Sequence, residues 1–185
     1  MSDWFETTDG ILNRLWGTLG RGVADAKHPA RRPTFATISP DGWPEARTVV
    51  LRAADQGAGV VTVHTDLYSD KIKSLRASPR AALHIWDAKQ DLQIRLQAEV
   101  TILSGAPTRA LWDKIPDHAQ QSYGVTPPPG QAIETALDYV KAPDPDTFAV
   151  LECHVTTIDA VHLGPDHRRA SFSRERHWQG QWLSP

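Results

Sequence analysis

The stretch TFATISPDGWPEARTVVLR, residues 34–52, decides the fold. Thr34 to Ser39 is rich in β-branched and aromatic residues and roughly alternates in polarity, the period of a strand with one buried face. Pro40-Asp41-Gly42 has turn chemistry: proline presets φ at the first corner and glycine accepts a positive φ. Ala46 to Arg52 is β-prone again and reads as the return strand. Residues 34–52 therefore form an antiparallel hairpin.

Working outward, Gly57 and Gly59 mark a second turn and Val60–Thr65 a third strand. Ser69–Arg76 predicts a short helix, with Ser69 as N-cap, Ile72 and Leu75 as the apolar stripe, and Ser78-Pro79 as the stop. Ala81–Trp86 and Leu92–Leu103 are strands around a polar turn. Pro107 opens a helix that runs to Ile115. Residues 116–130 read as a long loop ending in Pro127-Pro128-Pro129-Gly130, and loops of that length in compact domains tend to be functional. A short helix is expected over Ile133–Val140. Strands follow at Phe148–Ile158, Ala160–Leu163, Ala170–Arg174 and Trp178–Leu183. Upstream, residues 4–24 have Ile11, Leu12, Leu15, Trp16, Leu19 and Val23 on one helical face, and residues 25–33 are a polar connector. Six to eight strands in hairpin order argue for an antiparallel barrel rather than a βαβ sheet. The expected fold class is all-β with peripheral helices. It forms a single domain over 1–185, with an N-terminal helix in 1–24 and the barrel in 34–185.

Composition narrows the function. The 185 residues are 40% hydrophobic and 23% charged, enough for a packed core. A formal net charge of −2 gives no bulk attraction to nucleic acid. No apolar run reaches the roughly 18 residues of a membrane span. The acidic start Met1–Glu6 has no signal-peptide pattern, and the lone Cys153 allows neither an internal disulfide nor a cysteine metal site. A cytoplasmic protein is expected. Seven tryptophans against one methionine is heavy usage for this length, and tryptophan favours interfaces and flat ligands.

Dinucleotide, P-loop and HExxH signatures are absent. His154, His162 and His167 have no metal-site spacing, and Cys153 and His154 point to opposite faces of a strand. Cations and hydroxyls at strand ends carry more information. Arg47 and Arg52 bracket Thr48–Leu51; their separation puts them on opposite faces of a regular strand unless a bulge re-aims one. His64-Thr65 ends the next strand. Lys71 lies in the first turn of the following helix, where the positive dipole end favours an anion. Gln93 and Arg95 share a strand face. Arg168, Arg169 and Arg174 cluster late in the chain. Such a set suits a phosphate ester.

In their order, Arg47–Arg52, Val63-His64-Thr65, Ser69-Asp70-Lys71, Ser78–Ala82 and Gln93-Ile94-Arg95 resemble the pyridoxamine 5′-phosphate oxidase-like family of FMN-binding split barrels. Arg169–Arg174 and the terminal Trp182–Pro185 resemble its C-terminal end. The resemblance implies FMN as cofactor, a homodimer with FMN at the interface, and a small-molecule substrate. From charge, hydropathy and ligand spacing, no nucleic-acid partner, no membrane partner and no metal are expected. The resemblance implies cofactor contacts from Arg47, Thr48, Val49, Val50, Leu51, Arg52, His64, Thr65, Lys71, Gln93 (or Arg95 in its place), Ser122 and Arg169. Arg52, Tyr123 and His167 would face substrate, and the resemblance assigns no catalytic acid or base. It also exposes departures. Asp70 stands where the oxidases have an arginine, Arg52 where they have a lysine, and Pro165 near their substrate arginine. The expected function is therefore a flavin-dependent oxidoreductase of unassigned substrate. The alternatives are a non-catalytic flavin-binding or flavin-sequestering protein, or a split barrel that uses heme or a deazaflavin.

Overall fold

The computed structural model describes residues 3–185. Helix α1 spans Thr8–Ala24, with Thr7 accepting from the Gly10 N–H at 3.0 Å. That cap starts the helix four residues later than expected, and Trp4–Glu6 is a separate 3-10 turn. Ile11, Leu15, Trp16 and Leu19 are buried on one α1 face.

Strands β1 (Thr34–Ile38) and β2 (Pro44–Thr48) form the expected hairpin around Gly42, whose φ is +85°. The return strand is broken, however. β3 (Leu51–Asp55) leaves β1 and pairs with β4 (Val60–Asp66). Between them, Val49 donates its N–H to Pro33 O, so the apolar run Val49-Val50 is a crossing rather than a ladder. The β3–β4 register shifts between Leu51 and Ala53, which places Arg52 at a bulge.

Helix α2 spans Asp70–Ala77, followed by β5 (Arg80–Asp87) and β6 (Leu92–Ser104). The helix expected over 107–115 is a 3-10 turn at Ala106–Thr108 and one turn of α3 (Arg109–Trp112). The long loop holds α4 (Asp117–Gln120) and β7 (Val125–Thr126), which pairs with β8 (Val140–Lys141). No helix forms over 133–140. Ile133 and Leu137 have helical spacing but no surface to bury against, Leu137 being 78% exposed, and a short helix needs such a surface. Phe148–Ile158 and Ala160–Leu163 merge into one strand, β9 (Phe148–His162). β10 (Arg168–Ser173) and β11 (Gln181–Leu183) complete the chain.

All strand pairings are antiparallel. The main sheet runs β11-β10-β9-β6-β5-β1-β2, and β4 joins β3 to β9. This is the split β-barrel of the sequence reading. β5 alternates strictly between exposed and buried residues, so one sheet face covers the core and the other is polar. The core holds Phe35, Leu51, Val63, Leu83, Ile94, Leu96, Leu151 and Phe172. Trp112, Tyr123, Phe148 and Val150 form a second cluster. Among the described residues, no helix is long and apolar enough to cross a membrane.

Candidate functional site

The end of β4 and the start of α2 build the candidate site. Ser69 is the N-cap residue of α2, yet its side chain does not cap the helix. Its hydroxyl donates instead to Asp66 O at 2.8 Å and lies 3.1 Å from Thr65 Oγ1. Lys71 Nζ donates to Thr65 Oγ1 at 2.9 Å. From the edge strand β2, Arg47 donates through Nη1 to Thr37 Oγ1 at 2.7 Å and through Nη2 to Glu45 Oε2 at 2.8 Å. Arg47, Ser69, Lys71, Glu45 and Asp70 line one cavity of about 520 Å³, with Pro129 and Gly130 of the long loop at its rim. Gly130 has φ +87°, and a Cβ there would meet Asp70 Oδ2 at 2.6 Å, so the loop approaches α2 as closely as glycine allows.

Burial holds the Lys71 ammonium below its ordinary value, and the nearby Arg47 charge lowers it further, against Asp66 and Asp70. Two cations that disfavour each other are stabilised by an anion placed between them.

A second group lies beyond Asp66. Asp66 accepts from the N–H of Tyr68 at 2.8 Å and of Gly124 at 2.9 Å, tying the long loop to the end of β4. Tyr123 is thereby buried beside Arg52; burial pushes its phenol up, and the Arg52 charge offsets part of that. His64 packs edge-on against Phe148, and its pKa is lowered to about 4 by burial and by Arg52. Among the described residues, His64 Nδ1 and Arg52 Nε are buried without a hydrogen-bond partner, as polar atoms rarely are unless a ligand or water completes them.

A third group occupies the outer sheet face. Gln93 and Arg169 fall in one cross-strand row, Trp86–Gln93–Val161–Arg169. In the next row Asp159 lies opposite Arg95. Arg95 donates to Asp159 at 2.7 Å, and Arg169 grips the same carboxylate through Nε and Nη2. None of these residues lines the Lys71 cavity.

Of the residues named from sequence, Arg47, Thr65 and Lys71 converge, and Arg52, His64 and Tyr123 converge beside them. Thr48 ends β2 and is exposed, while Val49 and Leu51 are buried and Val50 is partly so. Gln93, Arg95 and Arg169 stand apart on the sheet face. Ser122 is exposed on a different cavity with His118 and Lys141, and His167 is exposed in the β9–β10 turn. Glu45, Asp66 and Asp159 are functional neighbours that the sequence reading missed. Glu45 had a signal: it is two residues before Arg47 on a strand, hence on the same face.

The fold and these groups define a split-barrel protein with a cavity at a strand–helix junction that Arg47 and Lys71 line. Residues 14–104 match the family model described as pyridoxamine 5′-phosphate oxidase, FMN-binding domain. A pyridoxine/pyridoxamine 5′-phosphate oxidase of Thermosynechococcus vestitus is 28% identical over 173 residues, covering 93% of this chain and 71% of that enzyme. An FMN-binding protein of Nostoc punctiforme, described as pyridoxamine 5′-phosphate oxidase-related, superposes with a TM-score of 0.76. It is 24% identical, and the match covers 94% of this chain and 96% of that one. PhzG from Burkholderia lata, solved with tetrahydrophenazine-1-carboxylic acid, gives a TM-score of 0.72 at 19% identity, covering 100% and 97%. Residues 14–104 thus carry the FMN-binding domain of the pyridoxamine 5′-phosphate oxidase-like family, and the whole chain has the split-barrel fold of these neighbours.

Proposed function

We propose that this chain binds FMN and acts as a flavin-dependent oxidoreductase, with the flavin phosphate in the Arg47–Lys71 cavity. The observation that carries the reading is that pair of cations lining one cavity, backed by the Thr65 and Ser69 hydroxyls. These residues fit a phosphate monoester: charge-assisted donors and hydroxyls surround one concave point beside a helix start. When bound, FMN supplies the redox chemistry; the chain holds the phosphate, excludes water and tunes the ring through hydrogen bonds.

The Gln93–Arg95–Arg169 group belongs to the same reading through a second copy. It carries residues that the family resemblance assigns to the flavin, yet it lies on a different surface from Lys71. In a homodimer the sheet face of one copy would complete the cavity of the other. Trp86, 41% exposed at the end of the Gln93 row, suits such an interface.

The test is the visible spectrum of the purified protein together with its mass by light scattering. A flavin spectrum, bleached by NAD(P)H and restored by oxygen, on a particle twice 20.5 kDa is the expected result. A flavin spectrum without bleaching by any reductant would favour a flavin-sequestering protein. A Soret band or a deazaflavin spectrum would replace FMN as the cofactor.

A further inference from the structure

Glu45 stands in the anion cavity with no part in the reading above. On β2 it shares a face with Arg47, and its Oε2 accepts from Arg47 Nη2 at 2.8 Å and from Ser74 Oγ at 3.1 Å. Ser74 is one helical turn after Lys71 on α2, so the carboxylate bridges β2 and α2 on the side that carries both cations. Both terminal nitrogens of Arg47 are already engaged within the protein. Its Nη1 already serves Thr37 Oγ1 and the Glu45 carbonyl. Its Nη2 is held by the Glu45 carboxylate. Counting formal charges, the cavity is lined by two cations, Arg47 and Lys71, and two carboxylates, Glu45 and Asp70. Asp70 is turned to Lys73 at 2.9 Å, which leaves Glu45 as the anion engaged with the binding arginine.

We propose that Glu45 is an internal competitor for the phosphate, a specificity residue that weakens dianion binding and so makes capture of the flavin phosphate readily reversible. This rests on the FMN reading and adds to it a residue whose removal strengthens binding.

The experiment is titration of FMN and of riboflavin into the full-length apoprotein, followed by flavin fluorescence, for the wild type, Glu45→Gln and Glu45→Ala. Glutamine keeps the shape and the acceptor for Arg47 and Ser74 but removes the charge. Alanine removes both, on a partly exposed edge strand that tolerates the change. Removing one like charge facing a dianion should tighten FMN on the order of tenfold in both variants and leave riboflavin unchanged. The FMN gain should shrink at high salt. Unchanged or weaker FMN binding in both variants, with the wild type still preferring FMN to riboflavin, would show that Glu45 merely braces Arg47. That result would overturn this proposal and leave the FMN site standing. Equal wild-type affinity for FMN and riboflavin would overturn the phosphate site itself, and this inference with it.

Discussion

Replacing Lys71 by methionine should separate phosphate recognition from fold stability. Methionine keeps the aliphatic stem and its packing but removes the ammonium. The wild-type ammonium makes one protein hydrogen bond, to Thr65 Oγ1 at 2.9 Å. Thr65 does not become an orphan in the variant, because Ser69 Oγ remains 3.1 Å away. Burial and Arg47 both disfavour the Lys71 charge, so its loss should cost the fold little, within about 1 kcal/mol. The bound phosphate, by contrast, loses a charge-assisted contact of about 1.5–3 kcal/mol, or roughly 10- to 150-fold in Kd. Riboflavin, which has no phosphate, should bind the variant as it binds the wild type. Fluorescence titration of both flavins, with thermal melting as the control, reads each arm. Equal losses for FMN and riboflavin would remove Lys71 from the phosphate site. A melting temperature lowered by ten degrees or so would show that the lysine serves the fold instead.

Three further outcomes are expected. His64 has its pKa lowered from the usual 6.5 to about 4, so the unfolded chain takes up this proton first. Its contribution to stability is complete above pH 6.5 and is lost as pH falls from 6.5 to 4. The full shift corresponds to about 3 kcal/mol, reduced to about 1–2 by partial exposure; denaturant midpoints that lose no such slope in His64→Gln would refute it. Cys153 is fully buried with its thiol pushed up to about 12, so a water-soluble thiol reagent at pH 8 should label it only after denaturation, and rapid native labelling would contradict the burial. Turnover of pyridoxamine 5′-phosphate should fall below about 0.01 s⁻¹, well under ordinary enzyme rates. Pro165 offers no donor, and the Arg168 guanidinium is taken by Glu6 at 2.8 Å and by the Phe5 ring. Turnover near 1 s⁻¹ would restore the vitamer as substrate.

The parts of the site legible in the sequence are those set by local geometry. Lys71 and Ser69 could be placed because a strand, a turn and a helix start fix where a first-turn side chain stands. Arg52 could be placed only as an alternative, since a bulge is a tertiary compromise between β3 and β4 and leaves no mark in alternation. The break at Val49-Val50 was invisible for a related reason: apolarity does not reveal whether an N–H goes to a ladder partner or to Pro33 O. Ile133 and Leu137 carry helical spacing, but spacing does not tell whether a surface waits for them. Asp159 is the clearest miss. Its grip on Arg95 and Arg169 follows from the β6–β9–β10 register, which no single segment encodes.

Strand β9 gives the chain a particular order of assembly. Its first half pairs with β4 on one side, Val60 with His154 and Asp66 with Phe148, while its whole length pairs with β6 on the other. The Arg47, Thr65 and Lys71 side chains leave the ribosome long before β9 does, and β4 has no second neighbour until β9 arrives. Contacts this distant in sequence close slowly, because the loop entropy is spent before the pairing compensates it. The support under the Thr65 end of β4 is therefore a late event in the life of the nascent chain. Until then the anion site is two loose cations on an unfinished sheet, and a ligand holding them together would act as a clasp for the fold as much as a guest in it.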